Sequence, residues 1–375
     1  MAISTDELAK ATTLTRAGRL MEATRSILAA LGARPAAMDV KRDPQPHDWR
    51  DVDEAPVAAA FEEPSVRDAP AEVQLPLLPA PAKARTLDSS FTLSNFRFDN
   101  NTYRYRLFLP ARAEGEPPLP VIVMLHGCKQ NSEDFALGTS MNALAERDQV
   151  IVVYPEQLRK ANSMGCWNWF EPGHQQRGAG EAAMIAALVS DVARRHGGDA
   201  SRIYVAGLSA GGAMAANLGS LYPDVFAAVG IHSGLPAGAA DSVTSAFGAM
   251  RRGVGHERPQ GAVPTIVFHG SNDKTVAARN GDVIASGQLA AWSASGIALV
   301  ASEQSIDGAR TATRTTWADA QGSPKLELWR VDGGPHAWSG GDSTGSFTDP
   351  QGPSASEAML KFFLQHRGAA PSGLQ

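Results

Sequence analysis

The sequence predicts an α/β protein: a mostly parallel sheet covered by helices on both faces, with an antiparallel hairpin at one edge. Three observations carry this. Short continuous apolar runs recur after residue 120, as strands buried on both faces require. Stretches of helical composition separate these runs, the alternation that links parallel strands through crossovers. Ahead of them, Phe91–Phe98 and Tyr103–Leu109 alternate in hydrophobicity and flank Asp99-Asn100-Asn101, a hairpin signal.

In chain order, Leu8, Ala11 and Leu14, then Leu20, Ala23, Ile27 and Leu31 predict a helical arm over residues 1–32, broken near Ala17-Gly18. Such a hairpin buries little by itself and is expected to dock elsewhere or to bind a partner that the sequence does not identify. Residues 33–89 change character. Nine of the 24 prolines lie there, and between Asp48 and Glu72 eight acids face only Arg50 and Arg67. Proline removes backbone donors and the acids repel, so a disordered linker is expected. The folded domain is assigned to residues 90–368. After the hairpin its strands are Val121–Leu125, Val150–Tyr154, Ile203–Ala206, Phe226–Ile231, Thr265–Phe268 and Leu326–Val331. Its helices are Glu181–Arg195, Ala210–Leu221, Gly281–Trp292 and Ser354–Gln365, and residues 369–375 form a flexible tail.

Composition narrows the function. The 375 residues are 43% hydrophobic and 19% charged, ordinary for a globular core. Lys+Arg number 34 against 39 Asp+Glu, a net charge of −5. That argues against nucleic acid, whose binding rests on basic patches. No run approaches the roughly 18 to 20 apolar residues of a membrane span. Asp6 and Glu7 stand where a secretory signal would be basic and then apolar, so the cytoplasm is the default reading. Two cysteines exclude a disulfide scaffold and a four-cysteine zinc site. H-E-x-x-H, a Walker A loop and dinucleotide glycine spacing are all missing, so neither metal nor cofactor is expected.

One motif points to a reaction. Ile203–Ala206 runs into Gly207-Leu208-Ser209-Ala210-Gly211 and then a helix-forming stretch. This is G-x-S-x-G in its strand–turn–helix setting, the nucleophile elbow. The sharp turn tolerates only tiny neighbours, which Gly207 and Gly211 supply. A serine hydroxyl needs a base, and the α/β-hydrolase order is Ser, then acid, then His. Asp273 follows strand Thr265–Phe268 by a short loop, and His336 follows Leu326–Val331, at steps of 64 and 63 residues. Ser209 as nucleophile, His336 as base and Asp273 as its orienter form the expected triad. Asp282 or Asp307 could replace Asp273, and His366 is a poor substitute for His336. His269 is expected beneath the acid loop, and His232 in a supporting role. The oxyanion needs two fixed amides: Ala210 N–H supplies one, and Cys128 N–H, in the loop after Val121–Leu125, the other.

Further blocks carry a family resemblance. They are His126-Gly-Cys-Lys-Gln-Asn131, Met141-Asn-Ala-Leu-Ala-Glu146, Tyr154-Pro-Glu156, Cys166-Trp-Asn-Trp-Phe170, Arg177-Gly-Ala-Gly-Glu181, Gly207-Leu-Ser-Ala-Gly-Gly-Ala-Met214, His232-Ser-Gly234 and Thr348-Asp-Pro350. Together, over about residues 90–367, the chain resembles the PHB depolymerase esterases of the α/β-hydrolase superfamily, related to feruloyl and acetylxylan esterases. The resemblance implies serine-hydrolase attack on short-chain polyhydroxyalkanoate polymer or oligomers, with carbohydrate esters as the alternative. It carries the triad onto Ser209, Asp273 and His336. It also implies a disulfide between Cys128 and Cys166. Such a bond is unusual in a reducing cytosol, which leaves export by an unrecognised route or reduced thiols. Members are typically secreted, at odds with the N-terminus read above. No C-terminal substrate-binding module follows residue 368, which favours soluble oligomers or small esters. Trp167, Trp169, Phe170 and Trp338 are expected to line the acyl pocket or to pack in the core. Asn131 is expected to bond substrate or to hold the oxyanion loop.

Overall fold

A computed structural model describes residues 86–113, 115–253 and 261–368. The helical arm, nearly all of the linker and the tail lie outside the described residues. The linker's last residues do not behave as a linker, because Thr86–Leu87 pairs antiparallel with Arg112–Ala113.

The ten-stranded sheet starts from the expected hairpin. Strands β1 (Ser90–Phe98) and β2 (Asn101–Leu109) pair antiparallel. Asp99 and Asn100 join them with φ of 47° and 60°, the double left-handed turn that matches strand twist. The remaining strands are β3 (Leu119–Leu125), β4 (Ile151–Pro155), β5 (Gly198–Leu208), β6 (Ala228–His232), β7 (Thr265–Gly270), β8 (Val300–Ile306), β9 (Ala312–Ala318) and β10 (Pro324–Val331). Their spatial order is β8-β9-β10-β7-β6-β5-β3-β4-β2-β1. The six from β10 to β4 run parallel, and antiparallel pairs flank them on both sides. Strands β8 and β9 escape sequence reading. Val-Ala-Ser-Glu-Gln-Ser-Ile sits on the sheet edge with nearly every residue exposed, so no apolar pattern marks it.

Alternation along the parallel strands divides the core in two. Val121, Val123 and Leu125 point to one face with Val205, Val229 and Val267. There they meet α3 (Gly180–His196), α4 (Ala210–Leu221) and α6 (Arg279–Ala294), through Ile185, Val189, Met214, Leu218 and Ile284. Ile122, Met124, Val152, Tyr204 and Phe268 point to the other face. That face is covered by α1 (Ser132–Thr139), α2 (Met141–Asp148) and α7 (Ala355–Phe363), through Phe135, Met141, Met359 and Phe363. Each such buried side chain contributes about 1.5–3 kcal/mol. Helix α5 (Val243–Arg252) completes the described α-helices. The loops that carry chemistry all leave the carboxyl ends of β3, β5, β7 and β10, where open parallel sheets build their sites.

Candidate active site

Ser209 stands between β5 and α4 with φ 57° and ψ −117°, a strained backbone for a residue with a Cβ. The flanking glycines are obligatory by contact. A Cβ on Gly207 would lie 2.4 Å from the Gly211 carbonyl, and one on Gly211 would lie 2.1 Å from the Leu125 carbonyl oxygen. The elbow is held from the next strand, since Ser209 N–H donates to the His232 carbonyl at 2.9 Å.

Asp273 and His336 come from loops after β7 and β10 that interlock. Asn272 N–H donates to the Gly334 carbonyl at 3.0 Å and Gly333 N–H to Ser271 Oγ at 2.8 Å. In the result His336 Nδ1 meets Asp273 Oδ2 at 2.7 Å. The other carboxylate oxygen, Oδ1, accepts from Thr275 and Val276 N–H, each at 2.8 Å. Burial alone would raise the Asp273 pKa. Hydrogen bonds from His269 and His336, the His336 charge and the Val276 amide outweigh it and hold the carboxyl below its usual range. An ionised Asp273 keeps the imidazole proton on Nδ1 and leaves Nε2 as the base nitrogen. Among the described residues no hydrogen bond joins Ser209 Oγ to His336. Contacts of this kind tighten when substrate arrives.

The alternatives considered for the triad lie elsewhere. Asp282 pairs with Arg330 at 2.8 Å on the surface, and Asp307 is exposed. His366 packs on Phe362, and its carbonyl accepts from Tyr204 OH. His269 does lie beneath the acid loop, with Nε2 bonded to the Val276 carbonyl at 3.0 Å and 3.5 Å from Asp273 Oδ2. His232 accepts Ser339 N–H at Nε2 (2.9 Å) and lies between Phe268 and Trp338. Burial, with His269 and His336 nearby, lowers its pKa to about 3, so it is a neutral structural ring.

The loop after β3, expected to bear an oxyanion amide, abuts the elbow: a Cβ on Gly127 would sit 3.6 Å from Ser209 Cβ. Three of its amides are engaged within the fold. Gly127 N–H donates to Gln130 Oε1 (2.9 Å), Lys129 N–H to the Met164 carbonyl (2.8 Å) and Gln130 N–H to the Gly127 carbonyl (3.3 Å). Cys128 N–H has no acceptor among the described residues. Nor has Ala210 N–H, as expected in a helix's first turn. Two amides thus stay open beside the serine, as stabilisation of an oxyanion requires.

A disulfide joins Cys128 to Cys166 and ties this loop to the tryptophan-rich segment. The segment is anchored in turn by Glu181 at the start of α3. That carboxylate accepts from Asn168 N–H and Nδ2, each at 2.7 Å, and from Gln157 Nε2. Burial is the dominant influence on Glu181 and raises its pKa against those donors. Gln157 N–H also donates to His126 Nε2 at 3.1 Å. His126 is held neutral, with burial lowering its pKa.

The expected substrate contacts need correction. Trp167 is fully buried, and its Nε1 donates to the His126 carbonyl at 3.1 Å. Trp338 is only 1% exposed, donates to Ser356 Oγ at 3.0 Å and stacks on His232. Neither indole has a face or a donor left for a ligand: Trp167 bonds the backbone of the loop after β3, and Trp338 bonds a side chain of α7. Trp169 is buried too, packed edge-on against Phe170. Asn131 caps α1, its side chain accepting from Glu133 N–H (3.0 Å) and Asp134 N–H (2.9 Å). Of its two expected roles, this is the loop-holding one. The supporting residues Gln130, Gln157 and Glu181 were not assigned roles from sequence. Polar residues inside motif blocks were the available signal, but only the fold shows that they are buried.

Among known proteins, the family model described as Esterase PHB depolymerase matches residues 103–300, more than half of the chain. That span includes Ser209 and Asp273, while His336 lies beyond it and is joined to Asp273 by the 2.7 Å bond above. The chain is 41% identical to poly(3-hydroxyalkanoate) depolymerase C of Paucimonas lemoignei over 175 residues, 43% of this chain and 42% of that protein. It is 34% identical to feruloyl esterase B of Thermothelomyces thermophilus over 141 residues, 37% of this chain and 47% of that protein. The chain therefore spans about half the length of these relatives, or less. Among solved structures, an acetyl xylan esterase from Aspergillus awamori superimposes with a TM-score of 0.54 at 19% identity, over 73% of this chain and 99% of that one. At that identity the likeness concerns the fold, which is that of the α/β-hydrolases. The family match over more than half of the chain, on a sheet that carries an elbow serine and an Asp–His pair at its loop end, places the chain in the PHB depolymerase esterase family.

Proposed function

We propose that the protein is a serine esterase acting on polyesters or oligomers of short hydroxy acids through an acyl-enzyme. The observation that carries this reading is the 2.7 Å bond from His336 to Asp273, at the same end of the sheet as a serine on a strained elbow. His336 Nε2 takes the Ser209 proton as Oγ attacks the ester carbonyl, and Asp273 stabilises the imidazolium. The carbonyl oxygen becomes an oxyanion facing the Cys128 and Ala210 amides. The C–O bond to the alcohol then breaks, and His336 returns the proton to the departing oxygen. Water, deprotonated by the same imidazole, cleaves the acyl-enzyme, frees the acid and restores Ser209. No metal or cofactor is needed for any of these steps.

The hydroxy-acid reading is supported by the 41% identity to a poly(3-hydroxyalkanoate) depolymerase. A feruloyl or acetylxylan ester is the second reading, supported by the 34% identity to a feruloyl esterase. Initial rates on 3-hydroxybutyrate oligomers, solid polymer film and methyl ferulate, with Ser209→Ala as the blank, separate them. Hydroxybutyrate release that the blank lacks is expected. Ferulate release alone would move the substrate to carbohydrate esters and leave the triad assignment standing.

A further inference from the structure

We infer that Gln130 is a positioning residue for the oxyanion loop, the strut that holds the loop with Cys128 N–H open. The inference rests on the esterase reading above. Gln130 is a buried amide with all its bonding directed. Its Oε1 accepts Gly127 N–H at 2.9 Å. Its Nε2 donates to Asp134 Oδ2 at 3.0 Å and to the Ser346 carbonyl at 2.9 Å. The amide can sit only one way round. Turned over, its NH2 would face the Gly127 N–H, and its oxygen would face a carboxylate and a carbonyl. Asp134 is itself fixed. It accepts Ser346 N–H at 2.8 Å and the Ser346 hydroxyl at 2.5 Å, and its own amide is capped by Asn131. The strut therefore runs from a loop 216 residues away in sequence to the amide next to Cys128.

The consequence is chemical. Without an acceptor, the buried Gly127 N–H gains by rotating its peptide toward another acceptor, because an unmade buried hydrogen bond is costly. That rotation reorients the adjoining Cys128 peptide, whose N–H must aim at the oxyanion and not at the ground-state carbonyl. Loss of Gln130 should therefore weaken transition-state binding while substrate binding stays intact.

The test compares wild type with Gln130→Leu, Gln130→Glu and Asp134→Asn on a soluble p-nitrophenyl ester. Each is also titrated with a trifluoromethyl ketone, which forms a tetrahedral adduct on the serine. Removing one oxyanion donor outright costs roughly 100- to 1000-fold in kcat, so a misaimed donor should cost about 10- to 100-fold. Gln130→Leu should lose that much in kcat and a matching factor in ketone affinity, with KM nearly constant. Asp134→Asn should fall between it and wild type. Gln130→Glu keeps an acceptor for Gly127 but sets a second carboxylate against Asp134. Its activity relative to wild type should recover as pH falls, since a protonated carboxyl can donate as the amide does. Unchanged kcat and ketone affinity in Gln130→Leu would overturn the inference. So would parallel losses in kcat, KM and thermal stability with no pH recovery in Gln130→Glu, which mark a merely structural residue. Failure of the esterase reading shows differently: wild type itself would be inert toward both ester and ketone.

Discussion

The chemistry depends on a few side chains whose protonation is set by what they touch. Asp273 keeps its charge while buried because two amides and His336 bond it. Asp273→Asn preserves that shape but presents an amide to His336 Nδ1, which permits the wrong tautomer. We expect kcat to fall by about 10⁴ with the fold intact. Steady-state rates and a thermal melt would check this, and a loss below tenfold would mean that Asp273 does not orient the base. Trp338 tests the correction to the pocket. Its N–H bonds Ser356 and its ring stacks on His232, so Trp338→Phe should cost about 1–3 kcal/mol of stability and leave KM unchanged. A rise in KM with no loss of stability would restore it as a substrate contact. The Asp273–His336 pair and the Ser209 elbow were legible because each residue follows a strand in the expected order. The tryptophans were not, because an indole in a site loop reads the same whether it faces a ligand or the core.

At the scale of elements, the strand–elbow–helix unit is the least forgiving part of the chain. Gly211 lets α4 start against the end of β3, with the Leu125 carbonyl where a Cβ would be. Gly211→Ala cannot be relieved by a rotamer change, because the obstacle is backbone. We expect a loss of about 3 kcal/mol or more, seen as a large drop in melting temperature or in soluble yield. A variant as stable as wild type would show that β3 and α4 do not approach this closely. The parallel strands were readable from sequence because each is buried on both faces and so continuously apolar. Strands β8 and β9 were not: β8 is an exposed edge strand, and β9 beside it is only partly buried and rich in threonine. Helices α1, α2 and α5, of 8 to 10 residues, were missed. Element ends drifted where a strand continues into polar residues, as in β5, which begins at Gly198 and not at Ile203.

Across the whole molecule, buried neutral imidazoles make the fold acid-sensitive. Burial lowers the pKa of His232 to about 3 and that of His366 to about 4. Unfolded histidine titrates near 6.5, so between these values the unfolded chain binds more protons than the folded one. Their contribution to stability is complete above about pH 6.5 and declines as pH falls toward 4 and then 3. Asp273 acts in the same direction lower down. Its folded pKa is depressed, so its contribution is present above about pH 4 and is lost as pH falls through the folded value. Urea midpoints should therefore hold near pH 7.5 and drop as pH falls from about 6.5 to 4.5, and His366→Gln should flatten that slope. A midpoint constant over the range would contradict the buried neutral rings. The sequence could not show this, because nothing in the spacing of His232 or His366 reveals that each lies under an aromatic layer.

The central claim is that Ser209 forms an acyl-enzyme assisted by His336, and trapping the acyl group tests it most directly. Protein mixed rapidly with p-nitrophenyl butyrate, quenched in acid and digested should yield one butyrylated peptide, the one containing Ser209. Its amount should match the burst of nitrophenol. The adduct should be absent from Ser209→Ala and should form at least a hundredfold more slowly in His336→Ala, in keeping with the roughly 10²–10⁴-fold effect of a general base. Turnover of the ester with no adduct on Ser209, or with the acyl group on another residue, would contradict the account.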